Sequence, residues 1–115
     1  MELYKGNNSF EKRHQESSRI LNKHPDRIPI IVCKANDCKL PDIDKQKYLV
    51  PKDMSMGQFI YVIRKRIKLQ ANEALFILVN NSLQPGNRPI QEVYETHKDE
   101  DKFLYIIYSS ENTFG

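Results

Sequence analysis

The stretch RIPIIVCK, residues 27–34, carries no charged side chain between its two ends. In an extended segment successive side chains point to opposite faces, so Ile28, Ile30 and Val32 form one apolar row and Pro29, Ile31 and Cys33 the other. A strand apolar on both faces needs both faces covered. One cover is expected from a core helix, and part of the other from a helix docked on the opposite side. Pro29 has no N–H to donate, so it belongs at a sheet edge or where pairing is interrupted.

The core helix is legible in MSMGQFIYVIRKRIKL. Ser55 and Gln58 have capping-box spacing, and Met54 and Phe59 stand at the two positions of a hydrophobic staple. Met56, Phe59, Ile60, Ile63 and Ile67 then recur at helical spacing, which predicts one buried stripe with most of the basic residues off it. The second cover is SFEKRHQESSRILNKHPDR, with Ser9 as N-cap and Pro25 closing it. Only Phe10, Ile20 and Leu21 are strongly apolar there, so it reads as an attached element that docks through a narrow stripe.

KYLVP is a second strand, ALFILV a short buried one ended by the turn formers NNSLQPGN, and KFLYIIY the last. Pro89 opens a short helix carrying Ile90, Val93 and Tyr94 on one side. The order is helix, two strands, helix, strand, short helix, strand, without regular βαβ alternation. That predicts an α+β fold with a helix packed on a small mixed sheet.

At 115 residues one core is expected. No apolar run approaches the ~18 residues a bilayer requires, and the polar start lacks the features of a signal peptide. A cytoplasmic protein is expected, with Cys33 and Cys38 as thiols. Their spacing without a second pair, and the scattering of His14, His24 and His97, argue against a metal site. No nucleophile elbow or phosphate loop is present, and the expectation is that the chain is not an enzyme.

Taken together, FEKR, HPDRIPIIV, DKQKYLVP, GQFIYVIRKRI, ALFILVNN and DEDKFLYIIYSSENTFG resemble the autophagy-related ubiquitin-like modifiers that include GABARAP and the microtubule-associated light chains. The resemblance runs in the family's order from Phe10 to Gly115. It implies a ubiquitin-like β-grasp with two additional N-terminal helices, divided as a helical extension 1–24 docked on the core, a core 25–110 and a tail 111–115, a single domain overall. It implies a function as well. Gly115 would be activated by an E1-like enzyme, passed to an E2-like conjugating enzyme and joined to phosphatidylethanolamine, with Thr113 and Phe114 forming the approach; a residue without Cβ leaves the carbonyl unhindered. A cysteine protease would process or deconjugate the protein. No cofactor is implied beyond that covalent lipid, and the lipidated form would sit on autophagosome or organelle membranes.

The resemblance further implies a groove along KYLV that binds peptides of the form aromatic-x-x-aliphatic with flanking acids. Its aromatic pocket would be lined by Glu16, Ile20, Pro29, Ile31, Lys47, Leu49 and Phe103, and its aliphatic pocket by Tyr48, Val50, Pro51, Phe59, Val62 and Ile63. Arg27, Lys45, Lys47 and Arg66 would meet the partner's acids. On this reading the second apolar face of RIPIIV is only partly covered by the protein itself. Phe76, Ile77 and Leu78 would form a second docking face. His24 departs from the tyrosine usual at its position and Cys33 from a frequent acid. Two rival readings stand beside it: an unconjugated ubiquitin-like interaction module, and a small nucleic-acid-binding module resting on the basic N-terminal helix and on Arg64, Lys65, Arg66 and Lys68 near Phe59 and Tyr61. The net charge of only +3 argues against the second.

Overall fold

The computed structural model describes residues 1–110. Its elements are α1 (Glu2–Asn7), α2 (Phe10–Lys23), β1 (Arg27–Lys34), β2 (Lys47–Pro51), α3 (Met56–Arg66), β3 (Phe76–Val79), β4 (Ser82–Leu83), α4 (Ile90–His97) and β5 (Leu104–Ser109). The five strands form one mixed sheet in the order β2-β1-β5-β3-β4, with β1 and β5 parallel at its centre and antiparallel pairing elsewhere. The elements expected from local sequence patterning are present, and two short pieces with weak local signals, α1 and β4, are added to them.

β1 divides its side chains as its sequence requires. Ile28, Ile30 and Val32 join the inner core with Phe59, Ile63, Leu104 and Ile106, while Ile31 and Cys33 join an outer cluster with Tyr4, Phe103 and Tyr105. Pro29 lies opposite Leu49 of β2, and the pairing of β1 with β5 begins only at Ile30, so its missing N–H falls where that ladder has not started.

α3 covers the inner face, and its start is fully bonded. Ser55 and Gln58 complete the capping box, and the N–H groups of Met56 and Gly57 donate to the carbonyls of Arg88 and Gly86 at 2.9 and 2.8 Å. A Cβ at Gly57 would stand 3.2 Å from the Gly86 oxygen, so glycine permits that approach. Met56, Phe59 and Ile63 are completely buried and Ile67 nearly so. The helix ends in a Schellman motif, with Lys68 N–H bonded to Lys65 O at 3.2 Å and Leu69 N–H to Arg64 O at 3.1 Å. The left-handed position is held by a lysine, Lys68, at φ 58°. Glycine carries no Cβ penalty there. Lys68→Gly is therefore expected to stabilise the fold by about 0.5–1 kcal/mol, raising the thermal midpoint by a few degrees. A lower midpoint would show that the Lys68 side chain holds the turn.

The outer face departs from expectation in two ways. Ile28 to Cys33 are all buried, so β1 has no uncovered apolar face; α1, which local patterning did not reveal, supplies Tyr4, edge-on to Tyr105 at 6.2 Å between ring centroids. The docking stripe of α2 is mixed, with Ile20 packed on the outer cluster as expected but polar residues buried beside it. Phe10 is exposed and Leu21 half-buried, whereas Arg13 and Ser17 are buried, one turn apart. Asp101 explains this. Its carboxylate is completely buried and accepts from Arg13 Nη1 at 2.5 Å, from Tyr105 Oη at 2.6 Å and from Phe103 N at 2.9 Å, while its carbonyl accepts from Ser17 Oγ. Burial, together with the bond to Asp101, pushes the Tyr105 phenol far above its ordinary range. α1 is tied down separately by Lys5, whose Nζ lies 2.6 Å from Asp99 Oδ1 and 4.9 Å from the Tyr105 ring centre. Burial pushes the Asp99 carboxyl up, but the Lys5 bond and the Asp101 N–H outweigh it and hold the group below the usual carboxylate range.

β3 and β4 join through Asn80–Asn81, both at positive φ, as a two-residue hairpin loop of primed type requires. Pro89 is the N-cap of α4, one position ahead of the expected first turn, and Ile90, Val93 and Tyr94 are buried as the pattern predicts.

Candidate functional site

β2 is an edge of the sheet. One side pairs with β1 and no other described strand lies along the second. Its side chains alternate, with Lys47 and Leu49 exposed, Tyr48 and Val50 buried and Pro51 half-buried. This alternation sorts the expected groove residues onto two sides of one strand, and it puts Pro51, expected in the aliphatic pocket, on the side of Lys47 and Leu49.

On the outer side, Lys47 pairs in register with Ile31 and Leu49 with Pro29, while Ile20 packs on the cluster containing Ile31 and Phe103. Glu16 reaches across from α2, its Oε1 and Oε2 lying 2.7 and 2.9 Å from Lys47 Nζ. The structure thus brings together all seven residues expected in the aromatic pocket. Their exposure is unequal. Leu49 is 41% exposed, but Pro29, Ile31 and Phe103 are buried. Tyr4, which sequence reasoning missed as a neighbour of this site, supplies that cover and places its phenol beside Lys47. The Glu16 hydrogen bond chiefly, with Tyr4 adding to it, holds the Lys47 ammonium above its ordinary pKa against the opposing effect of burial.

On the inner side, Tyr48, Val50, Phe59 and Ile63 share the main core, with Val62 partly buried against it and the Tyr48 and Phe59 rings edge-on at 5.6 Å. Phe59 and Ile63 have no exposed surface, so they back this region rather than line an open pocket. Met54, bonded through its N–H to Pro51 O at 3.1 Å, is half-buried beside them and was read from sequence only as part of the helix staple. The Tyr48 hydroxyl is buried without a hydrogen-bond partner among the described residues, and burial pushes its pKa up.

The four expected cations differ in state. Arg27 is exposed and forms no ion pair among the described residues, and Lys45 lies over the Tyr48 ring at 5.1 Å. Lys47 and Arg66 are already paired. Arg66 grips Asp44 through Nε at 2.8 Å and Nη2 at 3.4 Å, and this bond holds the Asp44 carboxyl below its ordinary range. Nothing in local sequence patterning marks Asp44 as that partner, since 22 residues separate the two.

The second docking face is mostly closed, with Phe76 half-buried and Ile77 and Leu78 buried. Cys33 lies in the outer cluster, Cys38 packs against the inner core, and both are free thiols. No group of three or more His, Cys, Asp or Glu among the described residues is placed to hold a metal ion. In the basic run, Arg66 is engaged by Asp44 and Arg64 donates to Gln70 O at 2.9 Å; Phe59 has no exposed ring, while Tyr61 is exposed with Lys65 Nζ 5.0 Å from its ring centre.

Residues 12–115 match the sequence model described as autophagy protein Atg8, ubiquitin like. The chain belongs to the Atg8 ubiquitin-like family. It is 59% identical over 113 residues to autophagy-related protein 8e of Arabidopsis thaliana, covering 98% of this chain and 93% of that relative. It is 55% identical to autophagy-related protein 8 of Mycosarcoma maydis, covering 97% and 95%. The crystal structure of Trypanosoma brucei ATG8 superposes with a TM-score of 0.89 at 42% identity over 97% of both chains. The α+β ubiquitin-like fold expected from the sequence is therefore the Atg8 fold, and the resemblance to the GABARAP and light-chain proteins is membership of the same family.

Proposed function

We propose that this Atg8-family protein is a conjugated adaptor, joined through Gly115 to the amine of phosphatidylethanolamine and recruiting partners through the β2 groove. The observation that carries the groove is the alternation along β2. A strand added to its free edge would present residues three apart to opposite faces, because side-chain direction reverses at each step. An aromatic-x-x-aliphatic segment therefore sends its first anchor toward Leu49, Ile20 and Glu16 and its second toward the face of Tyr48 and Val50, beside Val62 and Met54. Arg27 and Lys45, without acidic partners among the described residues, favour acids beside those anchors. The protein contributes surface and a carboxylate, and the bond-making groups belong to its E1-like and E2-like enzymes; a cysteine protease would reverse the attachment.

Thr113, Phe114 and Gly115 lie outside the described residues. The conjugation reading is supported by family membership and by a family match that extends to residue 115. No helix among the described residues is long and apolar enough to cross a membrane. Attachment to autophagosome or other organelle membranes would then depend on the acquired lipid, with the unconjugated form in the cytoplasm.

Mass spectrometry of the cellular protein tests this directly. A phospholipid adduct on Gly115 is expected, and Gly115→Ala should abolish it while leaving the thermal midpoint unchanged. Normal lipidation of that variant would sink the modifier reading.

A further inference from the structure

We propose that Asp44 is a specificity-determining residue of the groove, an internal competitor that occupies Arg66 and must be displaced when a partner's carboxylate takes its place. This rests on the groove reading above and adds a regulator to it. The geometry is that of a carboxylate already docked. Two of the guanidinium nitrogens, Nε and Nη2, donate to Asp44 oxygens at 2.8 and 3.4 Å, a fork that a second carboxylate cannot share in full. Asp44 itself stands just ahead of β2 with its side chain 72% exposed, so it can swing away without opening the core.

The consequence follows from counting ion pairs. At Arg66 an acidic partner exchanges one pair for another, so it gains little attraction and releases few counterions. At Arg27, which has no such acid among the described residues, the same carboxylate forms a new pair. The groove therefore discriminates among acidic peptides by where their acids fall, and Asp44 sets the weaker of the two responses. Glu16 stands in the same relation to Lys47, which shows that the arrangement at Arg66 is not isolated along this edge. Tyr48, with its unpartnered buried hydroxyl, feels both Arg66 and Asp44, so the release of that pair changes the electrostatics at the groove floor.

The test uses two synthetic aromatic-x-x-aliphatic peptides, one flanked by Asp and Glu and one by Asn and Gln, titrated against the full chain and two variants at several salt concentrations. Asp44→Asn is expected to bind the acidic peptide about two- to fivefold more tightly than the parent, with a steeper loss as salt rises, and to bind the neutral peptide unchanged. Asp42→Asn is the control for net charge, since Asp42 is exposed and pairs with Lys34 instead, at 2.7 Å. It should leave both affinities near those of the parent. Equal gains from both variants would mean a general field and overturn the proposal, as would unchanged binding in Asp44→Asn with the groove reading intact. Failure of the parent chain to bind either peptide would overturn the groove reading, and this inference with it.

Discussion

Asp101→Ala is expected to destabilise the protein by about 3–5 kcal/mol. The substitution leaves the Arg13 guanidinium, whose side chain is only 9% exposed, without its carboxylate in a site that water does not reach freely. It also removes the acceptor for Tyr105 Oη and for the Phe103 N–H. Each of those groups is costly to bury unpaired. For a chain of this size such a loss lowers the thermal midpoint by some 10–20 °C. Arg13→Met with Asp101→Leu should recover only the part due to the unpaired guanidinium, because Tyr105 Oη and the Phe103 N–H still lack their acceptor. Calorimetry of the single and double variants checks this; a loss below ~1 kcal/mol in Asp101→Ala would show that the pair merely decorates the docking of α2.

Leu49→Ala should weaken an aromatic-x-x-aliphatic peptide by about 2 kcal/mol, some thirtyfold, the loss typical of a central anchor at an interface. Folding should scarcely notice, since Leu49 is among the most exposed large apolar side chains of the sheet. Tyr48→Ala makes the opposite case. Its ring is buried against Phe59, so a change there lowers stability and binding together and cannot separate the two. Titration calorimetry on Leu49→Ala is accordingly the cleaner measurement, and a change below threefold would move the groove away from the β2 edge.

The difference between these two variants shows what could be read in advance. Placement of the strands, of α3 with its cap, and of Ile28 to Cys33 on two faces follows from spacing alone, because period and capping are local properties of the backbone. The residues of the proposed groove were suggested only by family resemblance, and their accessibility was not legible even then. Whether Ile31 and Phe103 lie open or covered depends on Tyr4, which precedes Ile31 by 27 positions and comes from a helix of six residues too short to announce itself.

The polar docking of α2 was hidden for a related reason. Arg13 and Ser17 look like ordinary surface residues in a helix of low hydrophobicity, and only the arrival of Asp101, 88 positions after Arg13, turns them inward. Asp44 and Arg66 are the same kind of case at the groove. What the sequence by itself determined is therefore each strand's two faces, the core helix with its capped start, and the family; periodicity and capping need no distant partner. What only the tertiary structure decided is which charges are buried, which cations are already taken and which apolar faces remain open. Coulombic pairing and burial act through space between groups that the chain brings together late, and no local pattern encodes the distance between them.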